Sequence, residues 1–324
     1  MSDKQPRYQT YTHPAGGWGA AAATARVLME QSVITKGSRA LLDMNQPGGF
    51  KCPSCAFPDA DERKKLEFCE NGAKALAHEA TRARVSRDFF AEHSVSDLME
   101  QSDYWLEMQG RLTEPMRYDA ATDHYVPCSW DEAFALIGKH LRALDNPNQA
   151  EFYTSGRTPN EAAFLYSIFV REFGTNNFPD CSNMCHEPTS RGLPPVLGIG
   201  KGSVVLKDFE EAEAIFIIGQ NTGTNSPRMM TNLVEARKRG IPIVAVNPMP
   251  ERALLKFTEP QDVVQMATFG STPIASEFVH IKIGGDLALL KGMMKVMFER
   301  EAAGEAILDR DFIAAHTSGV EALR

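Results

Sequence analysis

The second half of the chain alternates between helical and extended patterns of apolar residues. Apolar side chains recur at helical spacing over residues 130–144 and 160–173, and residues 241–246 form a continuous apolar run. A run of that kind is typical of a strand buried in a parallel sheet. The same pattern predicts strands at 151–154, 214–218 and 280–283, and helices at 226–239 and 286–300. Strands and helices in this order predict a doubly wound α/β domain.

The first part of the chain is less regular. Residues 1–48 are interpreted as an N-terminal extension that contains a helix near residues 21–32. Residues 49–125 are rich in turns and charges, with short helices predicted at 71–84 and 95–101. Because such a segment has little apolar periodicity from which to build a core, we expect a bound metal cluster to hold it together.

Composition and charge limit which kinds of partner the protein is expected to bind and in which cellular compartment it is expected. A formal net charge of −8 over 324 residues argues against general nucleic-acid binding, since phosphate contacts require clustered Lys and Arg. No apolar run approaches the ~20 residues of a membrane-spanning helix. The N-terminus carries charges, Pro and Gly but no apolar signal core. The cytoplasm is therefore the predicted compartment.

Six cysteines in a chain of this size, without a secretion signal, favour metal binding over disulfides. Cys52 and Cys55 have Cys-x-x-Cys spacing, and Cys69 is available as a more distant ligand. Asp59 stands where a third closely spaced cluster cysteine is expected. The spacing leaves an iron–sulfur cluster, a zinc site, a redox dithiol and an inert cysteine pair open. His78 does not complete a usual zinc spacing with Cys69.

A second candidate centre is the adjacent pair Cys185 and His186, which follows a predicted helix and a loop rich in Asn. A thiolate beside an imidazole offers a soft metal ligand next to a proton acceptor. From the sequence alone, a buried thiol and a structural histidine would also explain the pair. Together with the Cys52 group, it suggests an electron-transfer enzyme with two metal centres.

Polar and glycine residues follow the predicted strands of the α/β domain. Ligands in open α/β sheets bind outside the carboxyl ends of the strands, where glycine permits close approach of the backbone. The loop after residue 218 contains no GxGxxG, so an NAD-dependent dehydrogenase is not favoured. The candidate cofactor-binding residues are Gly219, Asn221, Asn225, Asn247, Gly285 and Asp286.

Several longer runs resemble one enzyme family. The sequences FYTSGRTPNE at 152–161, GTNN at 174–177 and CHEP at 185–188 closely resemble the molybdopterin oxidoreductases, and most of all formate dehydrogenase alpha subunits. GGWG at 16–19 and CENGAK at 69–74 are similar to a formate-dehydrogenase-like alpha-subunit group that is often linked to acid resistance. The resemblance covers essentially the whole chain.

The resemblance implies a small iron–sulfur N-terminal domain at 49–125, followed by a molybdopterin-binding α/β region at 126–324. Family members are longer, so the chain is expected to be an N-terminal portion that is truncated within the α/β region. The C-terminal domain that holds the second pterin would then lie beyond it. The alternative we consider is a non-catalytic, metal-stabilised fragment or assembly module that lacks the C-terminal half.

The resemblance also implies roles for the candidate residues. Cys185 matches the ligand of molybdenum or tungsten, and His186 matches the histidine that accepts the substrate proton. Cys52, Cys55 and Cys69 match the ligands of a 4Fe-4S cluster. The six residues at the strand ends match loops that hold a bis-molybdopterin guanine dinucleotide cofactor. The implied reaction is a two-electron oxidation of a small, formate-like substrate, with electrons leaving through the cluster to an acceptor protein or small carrier.

Overall fold

The computed structural model describes residues 11–55, 57–156 and 158–323. Over these residues the helices are α1 (Gly17–Glu30), α2 (Ile34–Asp43), α3 (Glu70–Glu79), α4 (Arg87–Glu92), α5 (Val95–Met99), α6 (Asp103–Met108), α7 (Trp130–Arg142), α8 (Asn160–Phe173), α9 (Cys181–Gly192), α10 (Pro194–Leu197), α11 (Asp208–Glu211), α12 (Thr222–Asn225), α13 (Met229–Lys238), α14 (Arg252–Leu255), α15 (Val263–Thr268), α16 (Asp286–Ala302), α17 (Arg310–His316) and α18 (Val320–Leu323). The strands are β1 (Ala15–Gly16), β2 (Arg84–Val85), β3 (Arg111–Leu112), β4 (Met116–Asp119), β5 (His124–Pro127), β6 (Ile215–Ile218), β7 (Ile243–Asn247), β8 (Phe257–Thr258) and β9 (Glu277–His280).

The chain divides into two compact units. Among the described residues, the first unit holds 11–13 and 18–208, and the second holds 14–17 and 209–323. This division reflects spatial compactness. The domain boundaries at residues 48 and 125, which follow expected function, stay a prediction.

The second unit is built around a three-stranded parallel sheet with the order β6, β7, β9. The central strand β7 is the most buried, with Ile243 and Ala245 fully inaccessible to solvent. Leu233 of α13 and Leu254 of α14 belong to the same apolar core. The mixed α/β character and the parallel pairing confirm the coarser prediction, whereas the complete doubly wound arrangement stays a prediction.

The first unit has a separate core formed by α1, α2 and α3. Leu28, Leu41, Met44 and Ala73 are among its buried residues. Its sheets are small: β2 pairs with β3 in parallel, and β4 with β5 forms an antiparallel hairpin. The strand predicted at 151–154 is wrong, since this segment makes only an isolated bridge, between Thr154 and the loop before α9.

Local sequence explains several helix ends, and a distant strand explains another. Helix α8 follows Pro159 and ends at Gly174, whose φ of 104° is a left-handed conformation that glycine adopts without strain. Helix α7 begins with a capping box between Ser129 and Glu132. Helix α3 ends at Glu79, earlier than predicted, because residues 84–85 pair with β3 instead. No helix in the described ranges is both long and apolar enough to cross a membrane.

Candidate functional site

Three of the predicted metal ligands approach one another at the start of α3. Cys69 is the N-cap of this helix, and its sulfur accepts a hydrogen bond from the Gly72 amide at 3.4 Å. The sulfur of Cys52 accepts one from the Ser54 amide, also at 3.4 Å. Cys52 and Cys55 both lie close enough to Cys69 to act on its ionisation. The fold therefore gathers Cys52, Cys55 and Cys69, which are separated by up to 17 positions in the sequence.

The electrostatics of this group suit a bound cation. Burial raises the pKa of the Cys69 thiol, and negative charge on Cys52 and Cys55 raises this pKa further, against the hydrogen bond from Gly72 that lowers it. Thiolates that repel one another are stabilised when a metal supplies positive charge. A side chain at Gly72 would place its Cβ only 2.9 Å from the Cys52 sulfur. The donor set and the space beside it fit a thiolate-bound metal group.

The thiol group is not a ready-made site for one metal ion. Over the described part of the chain, no group of three or more His, Cys, Asp or Glu side chains is placed to hold a metal ion. In an iron–sulfur cluster each thiolate ligates a different iron, so its ligands need not converge on one point. The 4Fe-4S cluster accordingly stays a prediction.

Asp59, the residue in the third cluster position, is engaged elsewhere. Its side chain is only 4% exposed, forms an ion pair with Lys51 and lies 3.6 Å from the Arg63 guanidinium. His78 lies with its Nδ1 3.7 Å from a carboxylate oxygen of Glu107. A carboxylate neutralised by two cations is a poor metal ligand, so Cys52, Cys55 and Cys69 remain the best donors.

A polar pocket of about 520 Å³ lies along α3. Ser54, Asn71, Lys74 and Arg111 are among the residues that line it. The Lys74 ammonium lies 2.5 Å from a carboxylate oxygen of Glu70, one turn earlier on the same helix. Lys74 therefore lines this pocket one helical turn after Glu70.

Cys185 and His186 are both exposed to solvent on α9. Neither residue is buried, so the interpretation of the pair as a structural thiol with a core histidine does not fit. Cys181 lies one helical turn before Cys185 on the same face of α9. Its sulfur accepts a hydrogen bond from the Gly156 amide at 3.2 Å. Sequence reasoning missed Cys181, although its four-residue spacing from Cys185 within a helix was a usable signal.

The segment that leads into α9 is anchored by hydrogen bonds to residues 148–152. The amide of Phe152 donates to the carbonyl of Asn177 at 2.9 Å, and the Asn177 side chain donates to the carbonyl of Asn148 at 2.9 Å. The Thr175 hydroxyl donates to the Asn148 side chain at 2.7 Å. This network fixes the start of α9 and so presents Cys185 from a supported helix.

The second unit contains the predicted cofactor residues at the carboxyl edge of its sheet. Gly219 directly follows β6 with a φ of 71°, and no atom lies within 4 Å of where its Cβ would be. Asn221 precedes α12 and Asn225 ends it, while Asn247 is the last residue of β7. Because the strands are parallel, these residues share one edge of the sheet. Gly285 and Asp286 follow β9, which lies next to β7, and Asp286 is the first residue of α16.

Asn247 has an incomplete set of hydrogen bonds. The residue is fully buried, and its Nδ2 donates to the Gln220 carbonyl at 3.2 Å and to a Glu251 carboxylate oxygen at 2.8 Å. Its Oδ1 is buried and has no partner among the described residues. An unsatisfied buried acceptor costs about 1–3 kcal/mol. A ligand that supplies a donor here would remove this cost, so the strand-end residues fit a nucleotide-bearing cofactor. Sequence reasoning missed Glu251.

Comparison with known proteins identifies relatives over almost the whole chain. The chain is 50% identical to protein YdeP of Escherichia coli K12 over 323 residues, which is 98% of this chain and 43% of the relative. It is 50% identical to the uncharacterized oxidoreductase Rv2900c of Mycobacterium tuberculosis H37Rv over 298 residues, 91% of this chain and 38% of the relative. The F420-dependent formate dehydrogenase 1 subunit alpha of Methanococcus maripaludis is 29% identical over 203 residues, 61% of this chain and 26% of the relative.

The chain thus spans less than half the length of these relatives. Among solved structures, acetylene hydratase from Pelobacter acetylenicus matches 61% of this chain and 24% of its own, with a TM-score of 0.46 and 20% identity. The sequence signature described as molybdopterin oxidoreductase matches residues 111–307, which include α9 and the strand-end residues of the second unit. The chain therefore belongs to the molybdopterin oxidoreductase family.

Proposed function

We propose that this chain carries the iron–sulfur region and part of the pterin-binding region of a formate-dehydrogenase-like molybdopterin oxidoreductase. The observation that carries the proposal is the exposure of Cys185 and His186 together on the anchored helix α9. A soft ligand and a proton acceptor that both face solvent suit a reaction centre better than a core. The formate dehydrogenase subunit among the relatives supports a small, formate-like substrate.

Each residue has a defined task under this proposal. The Cys185 thiolate would ligate molybdenum or tungsten, and the neighbouring His186 imidazole would accept the substrate proton. Cys52, Cys55 and Cys69 would hold the iron–sulfur cluster. When bound, the pterin cofactor supplies the two-electron chemistry, and the protein supplies ligation, orientation and electrostatics.

The strand-end residues of the second unit would bind the guanine dinucleotide part of a bis-molybdopterin guanine dinucleotide cofactor. Asn247 supports this assignment, because its buried Oδ1 accepts no hydrogen bond from the residues that the structure describes. The electron acceptor would be a protein or a small carrier. The proposed location is the cytoplasm, a compartment in which the thiol ligands would stay reduced.

The proposal is tested by elemental analysis of protein purified without oxygen, both as this chain and in a form extended to the length of the relatives. We expect molybdenum or tungsten with about four irons in the extended form. Cys185→Ala should lose the molybdenum or tungsten and keep iron, whereas Cys128→Ala, outside both centres, should keep all metals. Zinc alone, or no metal in either form, would contradict the proposal and favour the metal-stabilised module.

A second assay addresses the reaction. Formate-dependent reduction of an artificial electron acceptor by the extended protein should fall about 100-fold or more in His186→Gln, since general base catalysis contributes factors of this size. The metal content of this variant should stay unchanged. Full activity in His186→Gln would exclude His186 as the proton acceptor.

A further inference from the structure

The surroundings of Asn247 determine which end of its amide is left for a ligand. The two groups within hydrogen-bond distance of its Nδ2 are the Gln220 carbonyl and the Glu251 carboxylate, and both are acceptors. If the amide were flipped, its oxygen would face two acceptors at 2.8–3.2 Å. Only the amide nitrogen can donate, so the nitrogen must face these groups. The oxygen is therefore the end that has no hydrogen-bond partner among the described residues.

Glu251 contributes more to this orientation than Gln220. Its contact is shorter, at 2.8 Å against 3.2 Å, and hydrogen bonds to an ionised acceptor are roughly twice as strong as neutral ones. The backbone of Glu251 is itself held in place, because its carbonyl accepts from the amides of Leu254 and Leu255 at the start of α14. Leu254 is fully buried in the core of the second unit. The carboxylate is thus fixed to the core through α14.

The Oδ1 atom of Asn247 determines which chemical group of a ligand can bind beside it. A buried acceptor requires a donor, and a phosphate oxygen has none to offer once it is ionised. In nucleotide-binding α/β sheets, the glycine turn after one strand takes the phosphates and the end of the neighbouring strand takes the ribose. Gly219 and Asn247 occupy these two positions at the ends of β6 and β7. The donor expected at Asn247 is therefore a ribose hydroxyl.

We propose that Glu251 is a positioning residue that holds the Asn247 amide so that its Oδ1 accepts a hydrogen bond from a ribose hydroxyl of the bound nucleotide cofactor. The inference rests on the proposed function, which supplies the guanine dinucleotide as the ribose-bearing ligand. Glu251 acts through Asn247 and needs no contact with the ligand itself. Its removal should change how the site distinguishes ribose from a sugar without hydroxyls.

The experiment compares binding of GDP and 2′,3′-dideoxy-GDP to the full chain by equilibrium titration. The unmodified chain should prefer GDP by about tenfold, the value of one hydrogen bond to a hydroxyl. Glu251→Ala should lose most of this preference, because the Asn247 amide can then rotate. Glu251→Gln should keep a good part of it, since its amide oxygen still accepts from Nδ2. Glu213→Ala, an exposed carboxylate before the opposite end of β6, should leave the preference unchanged.

A ligand-free measurement separates the positioning contact from the identity of the ligand. Hydrogen exchange of the Asn247 side-chain amide, followed by NMR, should be slow in the unmodified chain and at least tenfold faster in Glu251→Ala. Unchanged exchange or an unchanged GDP preference in Glu251→Ala would overturn the positioning role. Equal binding of both nucleotides to the unmodified chain would overturn the ribose assignment and leave the proposed function standing. Binding of neither nucleotide would overturn both this inference and the proposed guanine dinucleotide site. Elemental analysis would still test the proposed molybdenum centre separately.

Discussion

The substitution Gly72→Ala tests whether the space beside the thiol group is required. Gly72 lies in the first turn of α3, where its backbone conformation suits any residue, so only the added methyl group matters. That methyl group would lie 2.9 Å from the Cys52 sulfur, 3.3 Å from the Met44 sulfur and 3.8 Å from the Cys69 sulfur. Real Cβ atoms essentially never approach a sulfur at 2.9 Å, so Cys52 or α3 must move.

Two effects of opposite sign decide the stability of this variant. Overpacking a well-packed core costs about 1–3 kcal/mol, and Met44 and Ala73 beside Gly72 are fully buried, which leaves little room to relax. Replacing glycine by alanine in a helix gains about 0.5–1 kcal/mol, and less in the first turn. We therefore expect a net loss of about 1–2 kcal/mol. For a unit of this size, such a loss lowers the melting temperature by about 2–8 °C.

The assay is thermal and urea unfolding followed by circular dichroism, with Gly138→Ala as the matched control. Gly138 lies inside α7 in the same unit, and the nearest atoms to its Cβ position belong to the flexible guanidinium of Arg142. This control should be unchanged or slightly stabilised. Iron reconstitution should be impaired in Gly72→Ala and normal in Gly138→Ala. A Gly72→Ala chain that is as stable as the unmodified chain and takes up iron normally would refute the reasoning.

Three further predictions concern stability. Burial raises the pKa of the Cys69 thiol above its ordinary value of 9.0. The contribution of the neutral thiol to the free energy of unfolding of the metal-free chain is therefore full below pH 9, and it is lost as the pH rises through the folded pKa. The urea midpoints measured at pH 8 and pH 10 should differ less in Cys69→Ser than in the unmodified chain. An equal difference in the two proteins would contradict burial of the Cys69 thiol as the cause. Leu254→Ala should destabilise the second unit by about 2–5 kcal/mol in urea unfolding, because Leu254 is fully buried. A loss below about 1 kcal/mol would mean that the core is loosely packed around this residue. Ser129→Ala should lower the free energy of unfolding by about 1 kcal/mol, because it removes the capping box with Glu132. The melting temperature measures this loss, and an unchanged value would show that α7 does not depend on its cap.

The sequence predicted those elements whose signals are local. Helix α8 was predicted with both ends correct, because Pro159 and Gly174 bracket an apolar period of helical spacing. Strand β7 was predicted from its continuous apolar run, with bounds that differ by one or two residues. In both elements the information lies within a few residues of the element itself.

The failures arise where distant residues decide the structure. Helix α3 stops at Glu79 because Arg84 and Val85 pair with a strand that lies 27 positions later. Strand β9 is shifted toward the N-terminus relative to the prediction, since it pairs with β7 only as far as His280. Pairing over such separations leaves no periodic signal in a single sequence.

The same distinction applies to the candidate site. The sequence could name Asn247 as a cofactor residue, because a polar residue at the end of a buried strand has a known place in α/β sheets. It could not show that Asn247 is short of one donor, which depends on the Gln220 carbonyl from another strand end and on the carboxylate of Glu251. Two acceptors take both protons of the amide, and its oxygen has no partner within the described part of the chain. The chemistry that selects a ligand here is therefore a property of three residues held by the fold. A substitution at Glu251 should therefore change what the site binds, although Asn247, the residue that the sequence identifies, is unchanged.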